Sequence, residues 1–268
     1  MKKTTLTLVM ICSIIFNLTA CINVSSSKGL FGKNIKGNGI QKELERGKMD
    51  FNGIDVRGSV DVIIADISDA PIIVSGDENL LEYIETYIKN GVLNIHFKDG
   101  YGYTSKKGIK VTVPNNGHLS SIKASGSSDV LTEGTIVAGN ISIDCKGSSD
   151  FKGSIKAEKC EFTFSGSSDF RGSVEATTLI VKCSGSSDCM INGKADICEI
   201  SMSGSSDFKG YDFIVNKLNC NTSGSSDVQI TCNEELSARA SGSSDVYYKG
   251  DAKVVSAHTS GSSDIIKK

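Results

Sequence analysis

The tetrapeptide Gly-Ser-Ser-Asp occurs eight times, beginning at Gly126, Gly147, Gly166, Gly185, Gly204, Gly224, Gly242 and Gly261. Successive copies are 21, 19, 19, 19, 20, 18 and 19 residues apart. A fixed step of that length marks an architecture of stacked units, each too small to bury a core by itself. Counting back from each Gly, positions two, four and six run from Ala124, Ile122 and Ser120 through Phe164, Phe162 and Cys160 to Thr259, Ala257 and Val255. Of these 24 residues 21 are apolar, and the interleaved positions are polar in every repeat except at Ile180. That is the alternation of a strand with one buried face. The residue after each Asp is apolar as well (Val130, Phe151, Phe170, Cys189, Phe208, Val228, Val246, Ile265), so a second strand begins there.

Strands of this kind close a core when the units stack and pair in parallel at about 4.8 Å, with like residues filed one above another inside. The fold expected is all-β, a parallel β-helix or solenoid of about eight rungs, running on the order of 35 Å along its axis. A propeller or sandwich fits less well, because four-stranded blades need roughly 40 residues and hairpins need paired turn signals. The Leu and Asn pattern of leucine-rich repeats is absent. With 38% hydrophobic but only 6% aromatic residues and no Trp, the core is built from small and β-branched side chains.

Within the motif, Gly turns the corner with a positive φ or admits a close neighbour, and Ser and Asp bond turn amides. Stacking files Asp129, Asp150, Asp169, Asp188, Asp207, Asp227, Asp245 and Asp264 into one column of like charge. Three readings of that column stay open: carboxylates satisfied by backbone and Ser donors, a cation site, or a surface for a hydroxyl-rich ligand. The calcium solenoid motif Gly-Gly-x-Gly-x-Asp and its nine-residue period are missing.

The N-terminus carries an address. Lys2 and Lys3 precede an apolar run from Leu6 to Phe16, and Leu18-Thr19-Ala20-Cys21 follows. This is a secretory signal with small residues at its end, too short to span a bilayer, and its last residues resemble a lipobox, in which Cys21 is lipidated and becomes the first residue of the mature chain. Residues 1–20 then form a lipoprotein signal peptide, and residues 21–48, lacking an apolar period, a flexible tether. Residues 49–118 form a β-rich N-terminal cap and 119–268 the repeat β-helix. In the cap, Asn90-Gly91 between Ile84–Ile88 and Leu93–Phe97 signals a hairpin, and Leu80, Leu81 and Ile84 fit a short helix before it.

Of nine cysteines, Cys145, Cys160, Cys183, Cys189, Cys198, Cys220 and Cys232 remain beyond Cys21 in the mature chain. Five lie in inward columns, and those sharing a column stand two rungs apart, beyond the roughly 7 Å reach of a disulfide. They are expected to be buried thiols. No C-x-x-C pairing suggests a metal, and no cofactor is expected. The formal charge of -2 becomes -4 once Lys2 and Lys3 are removed, and no basic stripe is present to meet nucleic acid.

Phe51-x-x-Ile54-x-Val56-x-Gly58, then Asn90-Gly91-x-Leu93-x-Ile95, then the repeated Gly-Ser-Ser-Asp follow in an order that resembles the autotransporter-adhesin head domain family, or GIN domain, of lipid-anchored envelope proteins. The resemblance spans Phe51 to Ile265. It implies a right-handed β-helix, an adhesive role at the cell envelope, and an outer-membrane lipid anchor, with the periplasmic or outer face left open. It supplies no catalytic residue.

The residues themselves agree with a non-enzyme. His96 and His258 are placed at outward strand positions and His118 in a turn, so no histidine constellation emerges, and no base accompanies the motif serines. A polysaccharide-degrading enzyme would need carboxylates clustered with Arg or Lys, and only Arg46, Arg57, Arg171 and Arg239 are available as arginines. A binding module for a glycan or protein ligand, or else a structural scaffold of the envelope, is expected. Tyr101, Tyr103, Tyr247 and Tyr248, near Lys106, Lys107 and Lys249, are the candidate binding aromatics, with core or rim packing as the alternative account of them.

Overall fold

The computed structural model describes residues 32–268, so the signal peptide and Cys21 lie outside the described residues. Strands β1 (Lys33–Lys36), β2 (Gln41–Glu45), β3 (Gly53–Gly58), β4 (Val60–Ala65) and β5 (Ile73–Asp77) lead into a 3-10 turn over Glu78–Tyr83. The hairpin β6 (Ile84–Lys89) and β7 (Val92–Phe97) follows, then β8 (Tyr101–Thr104), β9 (Ile109–Pro114) and β10 (Ser121–Gly126). The long strands β11 (Val130–Gly147), β12 (Phe151–Gly166), β13 (Phe170–Gly185), β14 (Cys189–Met202), β15 (Phe208–Gly224) and β16 (Val228–Gly242) each run most of the way round a coil. The chain ends with β17 (Val246–Lys249), β18 (Lys253–Gly261) and β19 (Ile265–Lys267).

The repeats stack as a parallel β-solenoid. Val130, Phe151, Phe170, Cys189, Phe208, Val228, Val246 and Ile265 pair in one file, coil upon coil. Up to β16 their neighbours on the inner face are buried to the last few per cent, and the rings of Phe151 and Phe170 stack with centroids 5.8 Å apart. The core is a set of continuous columns because the period-2 pattern repeats at the same point in every coil.

Residues 51–65, placed by sequence in a segment without the motif, form a coil of the solenoid. Ile54 and Val56 of β3 pair with Ile122 and Ala124 of β10, and Gly58 pairs with Gly126. Its corner is Gly58-Ser59-Val60-Asp61, a copy of the motif with one residue changed. On its other side β7 and β9 lie parallel to β3 and β4, so the chain builds its second coil first, returns to build the end coil, and then continues past both.

The end coil is closed by strands of reversed direction. β6 pairs antiparallel with β7, β5 with β9, and β2 with β5. The expected hairpin forms at Asn90-Gly91, both with positive φ of 53° and 76°, as a two-residue turn demands. The expected short helix is the 3-10 turn, whose carbonyls at Leu81 and Ile84 accept bonds from the Arg46 guanidinium. Two expectations are corrected. The tether is not structureless to residue 48: β1 pairs with β8 and β2 with β5, because strand edges of the cap offer backbone partners that no apolar period announces. His96 is buried (5% exposed) between the cap strands, with Nδ1 bonded to the Phe97 carbonyl, because the Tyr87 ring and the Glu85 carboxylate of the neighbouring β6 pack against its imidazole.

All seven cysteines among the described residues are buried and free. Cys145, Phe164 and Cys183 follow one another in a column, as do Cys160, Leu179 and Cys198, which places a hydrophobe between the two cysteines of each column. Burial pushes the thiols of Cys160, Cys183 and Cys220 up to about 12. None should therefore react with a thiol reagent in the folded protein at neutral pH, whereas all seven should titrate in denaturant. The corner glycines are equally demanding: Gly166 has φ of 89°, and a Cβ there would lie 2.5 Å from the Gly147 carbonyl oxygen. Gly166→Ala is expected to cost about 3 kcal/mol or more and to lower the thermal midpoint by on the order of 10 °C, read by circular dichroism.

Candidate functional site

The corners are the most repeated chemistry in the chain, and their hydrogen bonds alternate in direction. The first Ser donates its N–H to the Gly carbonyl of the preceding coil, as Ser167 does to Gly147 at 2.8 Å. The second Ser donates its N–H to the Oγ of the second Ser in the following coil, as Ser168 does to Ser187 at 3.3 Å. The Asp N–H returns to the preceding coil, where Asp169 meets Asp150 Oδ1 at 2.9 Å. The next residue donates forward again, Phe170 N–H to the Asp188 carbonyl at 2.9 Å. Every N–H of the turn thus has an acceptor, and the side-chain oxygens stand in for the carbonyls a regular ladder would provide.

The inner Ser is wholly buried from Ser128 to Ser244, where an unpaired N–H would be costly. The aspartates stand in one column, and each Oδ1 from Asp61 to Asp245 accepts from the next coil. Several outer oxygens meet cations or donors: Asp169 meets Arg171, Asp188 and Asp207 share Lys209, and Asp245 accepts from Tyr247. These contacts offset the repulsion of the stack. Toward the first coils Lys110 acts on Asp61 and Arg171 on Asp150. Burial raises Asp61, Asp129 and Asp150 above the usual carboxylate range, opposed by the amide bond each accepts. Among the described residues no group of three or more His, Cys, Asp or Glu is arranged to hold a metal ion.

The candidate aromatics divide. Tyr248 points inward and is 7% exposed, so it is core. Tyr103 donates to the Ser59 carbonyl beneath the cap and packs on Phe97, and burial, then the Asp61 carboxylate, push its phenol up. Tyr101 is exposed and leans on Tyr83 at 5.2 Å. Tyr247 is half-buried on the outer wall. Near it stands Tyr211, which sequence reasoning missed. Lys249 Nζ lies 4.4 Å from the Tyr211 ring centre and Lys268 Nζ 4.6 Å from that of Tyr247. The signal for Tyr211 was the longer 20-residue step between Gly204 and Gly224, because the register shifts between Gly210 and Ile214 and carries Tyr211 outward. A bond from Tyr247 to Asp245 Oδ2 at 2.7 Å fixes the phenol and pushes it up to about 12.

A shallow groove of about 510 Å³ runs along another edge of the coils. Its floor is the file Ala138, Ala157, Ala176 and Ala195, and Lys156, Glu175 and Lys194 form an ionic row beside it, at 3.3 and 3.2 Å. Of the histidines, His118 is exposed beside the first coils and His258 on the last, in register with Arg239.

Comparison with known proteins came to the same architecture. The sequence profile of the family described as "Putative auto-transporter adhesin, head GIN domain" matches residues 50–173 and 150–252. No curated protein matches the chain. Among solved structures, one from Parabacteroides merdae described as a putative adhesin is 22% identical, with a TM-score of 0.80 over 88% of this chain and 100% of its own. Another, from Parabacteroides distasonis and described as a putative lipid binding protein, is 23% identical, with a TM-score of 0.79 over 87% of this chain and 100% of its own. These likenesses show the fold.

The corner geometry separates the two jobs of each Asp. Asp150→Ala removes the acceptor of the Asp169 N–H and is expected to cost about 1–3 kcal/mol. Asp150→Asn keeps an Oδ1 acceptor and sheds a like charge, so its cost should stay within about 0.5 kcal/mol. Because the folded-state values of Asp61, Asp129 and Asp150 are raised, the native state holds protons the unfolded chain has released in the window between the ordinary and the raised values. Their contribution to stability is therefore larger on the acid side of that window and falls as pH rises through it. Urea midpoints measured across the window should fall less steeply with rising pH in Asp150→Asn than in the parent.

Proposed function

The chain belongs to the auto-transporter adhesin head GIN domain family, and from that premise we propose that it is a non-catalytic binding head, held to the cell envelope through a lipid on Cys21. Among the described residues no helix is long and apolar enough to cross a membrane, so this reading assigns membrane attachment to the N-terminal lipid. One acyl chain binds a bilayer only marginally, so more than one is needed for stable anchoring. The solenoid then acts as a rigid post whose outer wall meets a glycan or protein ligand. In this reading the Asp column, Asp129 to Asp264, belongs to the fold rather than to the ligand, since its inner oxygens are committed to amides of neighbouring coils.

The observation that carries the reading is the patch of Tyr211 and Tyr247 with Lys249 and Lys268 over their rings. Aromatic rings held in place on a wall of short polar side chains provide apolar contact area at little entropic cost, and flanking ammonium groups favour acidic or hydroxyl-bearing partners. The seated His96 and the separation of His118 from His258 support a non-catalytic role.

Two measurements test it. Cys21→Ser should move the protein from the membrane fraction to the soluble fraction, and recovery of both forms in the same fraction would contradict the anchor. On a glycan array and immobilised matrix proteins, the parent should bind at least one ligand. Tyr211→Ala with Tyr247→Ala should weaken that binding about tenfold or more, while loss of the bond to Asp245 lowers the melting midpoint by only a few degrees. Tyr248→Ala is the contrast, because it removes core packing and should lower stability. If no ligand is bound, a structural envelope scaffold replaces the binding head.

A further inference from the structure

The corner bonds have a direction, and it makes the two ends of the stack unlike. The inner Ser Oγ serves the coil before it, whereas Asp Oδ1 serves the coil after it. The first corner therefore needs an Asp and no Ser, and it reads Gly58-Ser59-Val60-Asp61: Asp61 Oδ1 accepts from Asp129, and Val60 stands where no earlier corner amide requires an oxygen. The last corner, by the same accounting, needs Ser263 and not Asp264. Ser263 Oγ accepts from Ser244 N–H at 3.4 Å. Asp264 is nonetheless present and exposed, and it enters the ladder through its backbone, its N–H bonded to Asp245 Oδ1 at 2.8 Å and its carbonyl accepting from Val246 N–H at 2.9 Å.

The inner columns end in the open at the same place. Leu236 and Ala238 are buried, but Val254, which pairs with Leu236, is 40% exposed, Val255 is 59% exposed, and Ala257 and Thr259 are exposed in file with Ala238 and Ala240. β18 lies along β16 and β19 along β17, and among the described residues neither has a strand on its other side. A parallel edge left this way templates the pairing of another chain. The opposite end of the stack is faced by reversed strands, β6 on β7 and β5 on β9, and so does not continue the parallel coils. The surface of a second copy that presents the same parallel edge is its own open end.

We propose that two copies of this chain join tail to tail about a two-fold axis, β18 pairing antiparallel with the partner's β18. Such an isologous contact matches donors to acceptors on both sides at once. Antiparallel pairing centred near Ala257, a small residue that allows close approach, brings exposed Lys253 of one copy toward the Gly261–Asp264 corner of the other. The Asp264 carboxylate then has its counter-charge, and Val254 and Val255 leave water. One coil from each copy is close to the roughly 20–30 residues per side of a standard interface.

Sedimentation equilibrium of the full chain carrying Cys21→Ser tests the contact. A dimer is expected at micromolar concentration. Val255→Lys with Ala257→Lys, both exposed in a single copy, should raise its dissociation constant at least tenfold with no change in melting of the monomer. Lys253→Glu and Asp264→Lys should each weaken it, and the two together should restore it. Hydrogen exchange should show Lys253–Gly261 amides protected only where the dimer forms. A monomer at about 100 µM whose edge amides exchange freely, a dimer indifferent to the lysine pair, or single charge variants without effect would each overturn the proposal.

Discussion

The reach of corner side chains into neighbouring coils is the constraint on which the rest of the molecule depends. A solenoid turning a tight corner loses the regular alternation of N–H and C=O, and buried amides left alone there would cost on the order of 1–3 kcal/mol each. Here the inner Ser and the Asp supply the missing acceptors in opposite directions along the axis, while Gly supplies a backbone with positive φ that can pass within contact of the Gly below. With the corner fixed, the strands on either side are held in register, and the inward columns follow from that register. Long files of Phe, Ile, Leu, Cys and Ala can therefore serve as a core without a single Trp.

The same constraint explains where the chain departs from repetition. Val60 is tolerated because its position at the first corner has no amide to satisfy, and the reversed strands of the cap exist because a parallel edge must be stopped. The carboxylates near that end are the ones whose charge burial opposes, against the pull of Lys110 on Asp61 and Arg171 on Asp150. Farther along, Arg171, Lys209 and Tyr247 take up the outer oxygens.

Much of the fold was legible because the signal was repeated: eight corners, period-2 strands and cysteines two rungs apart determine the stack before any coordinate is seen. The first coil was missed because Gly58-Ser59-Val60-Asp61 differs at the one residue that its place in the stack releases, and because the chain builds that coil out of spatial order. β1 and β2 were missed because edge strands held by backbone bonds need no apolar alternation. Of the candidate surface, Tyr247 was legible and Tyr248 was misassigned to it, although adjacent strand residues face opposite ways and period 2 counted from the inward Val246 turns Tyr248 into the core. Tyr211 was hidden because a register shift, and not the period, sets its direction.

Since each corner asks only that its immediate neighbours be corners of the same kind, the number of coils is not fixed by the bonding. Loss or duplication of one nineteen-residue unit between Gly147 and Gly204 would leave both cut edges facing the partners they already expect. Such a chain can lengthen or shorten its stack by recombination between segments that share only their corner and the alternation of their strands.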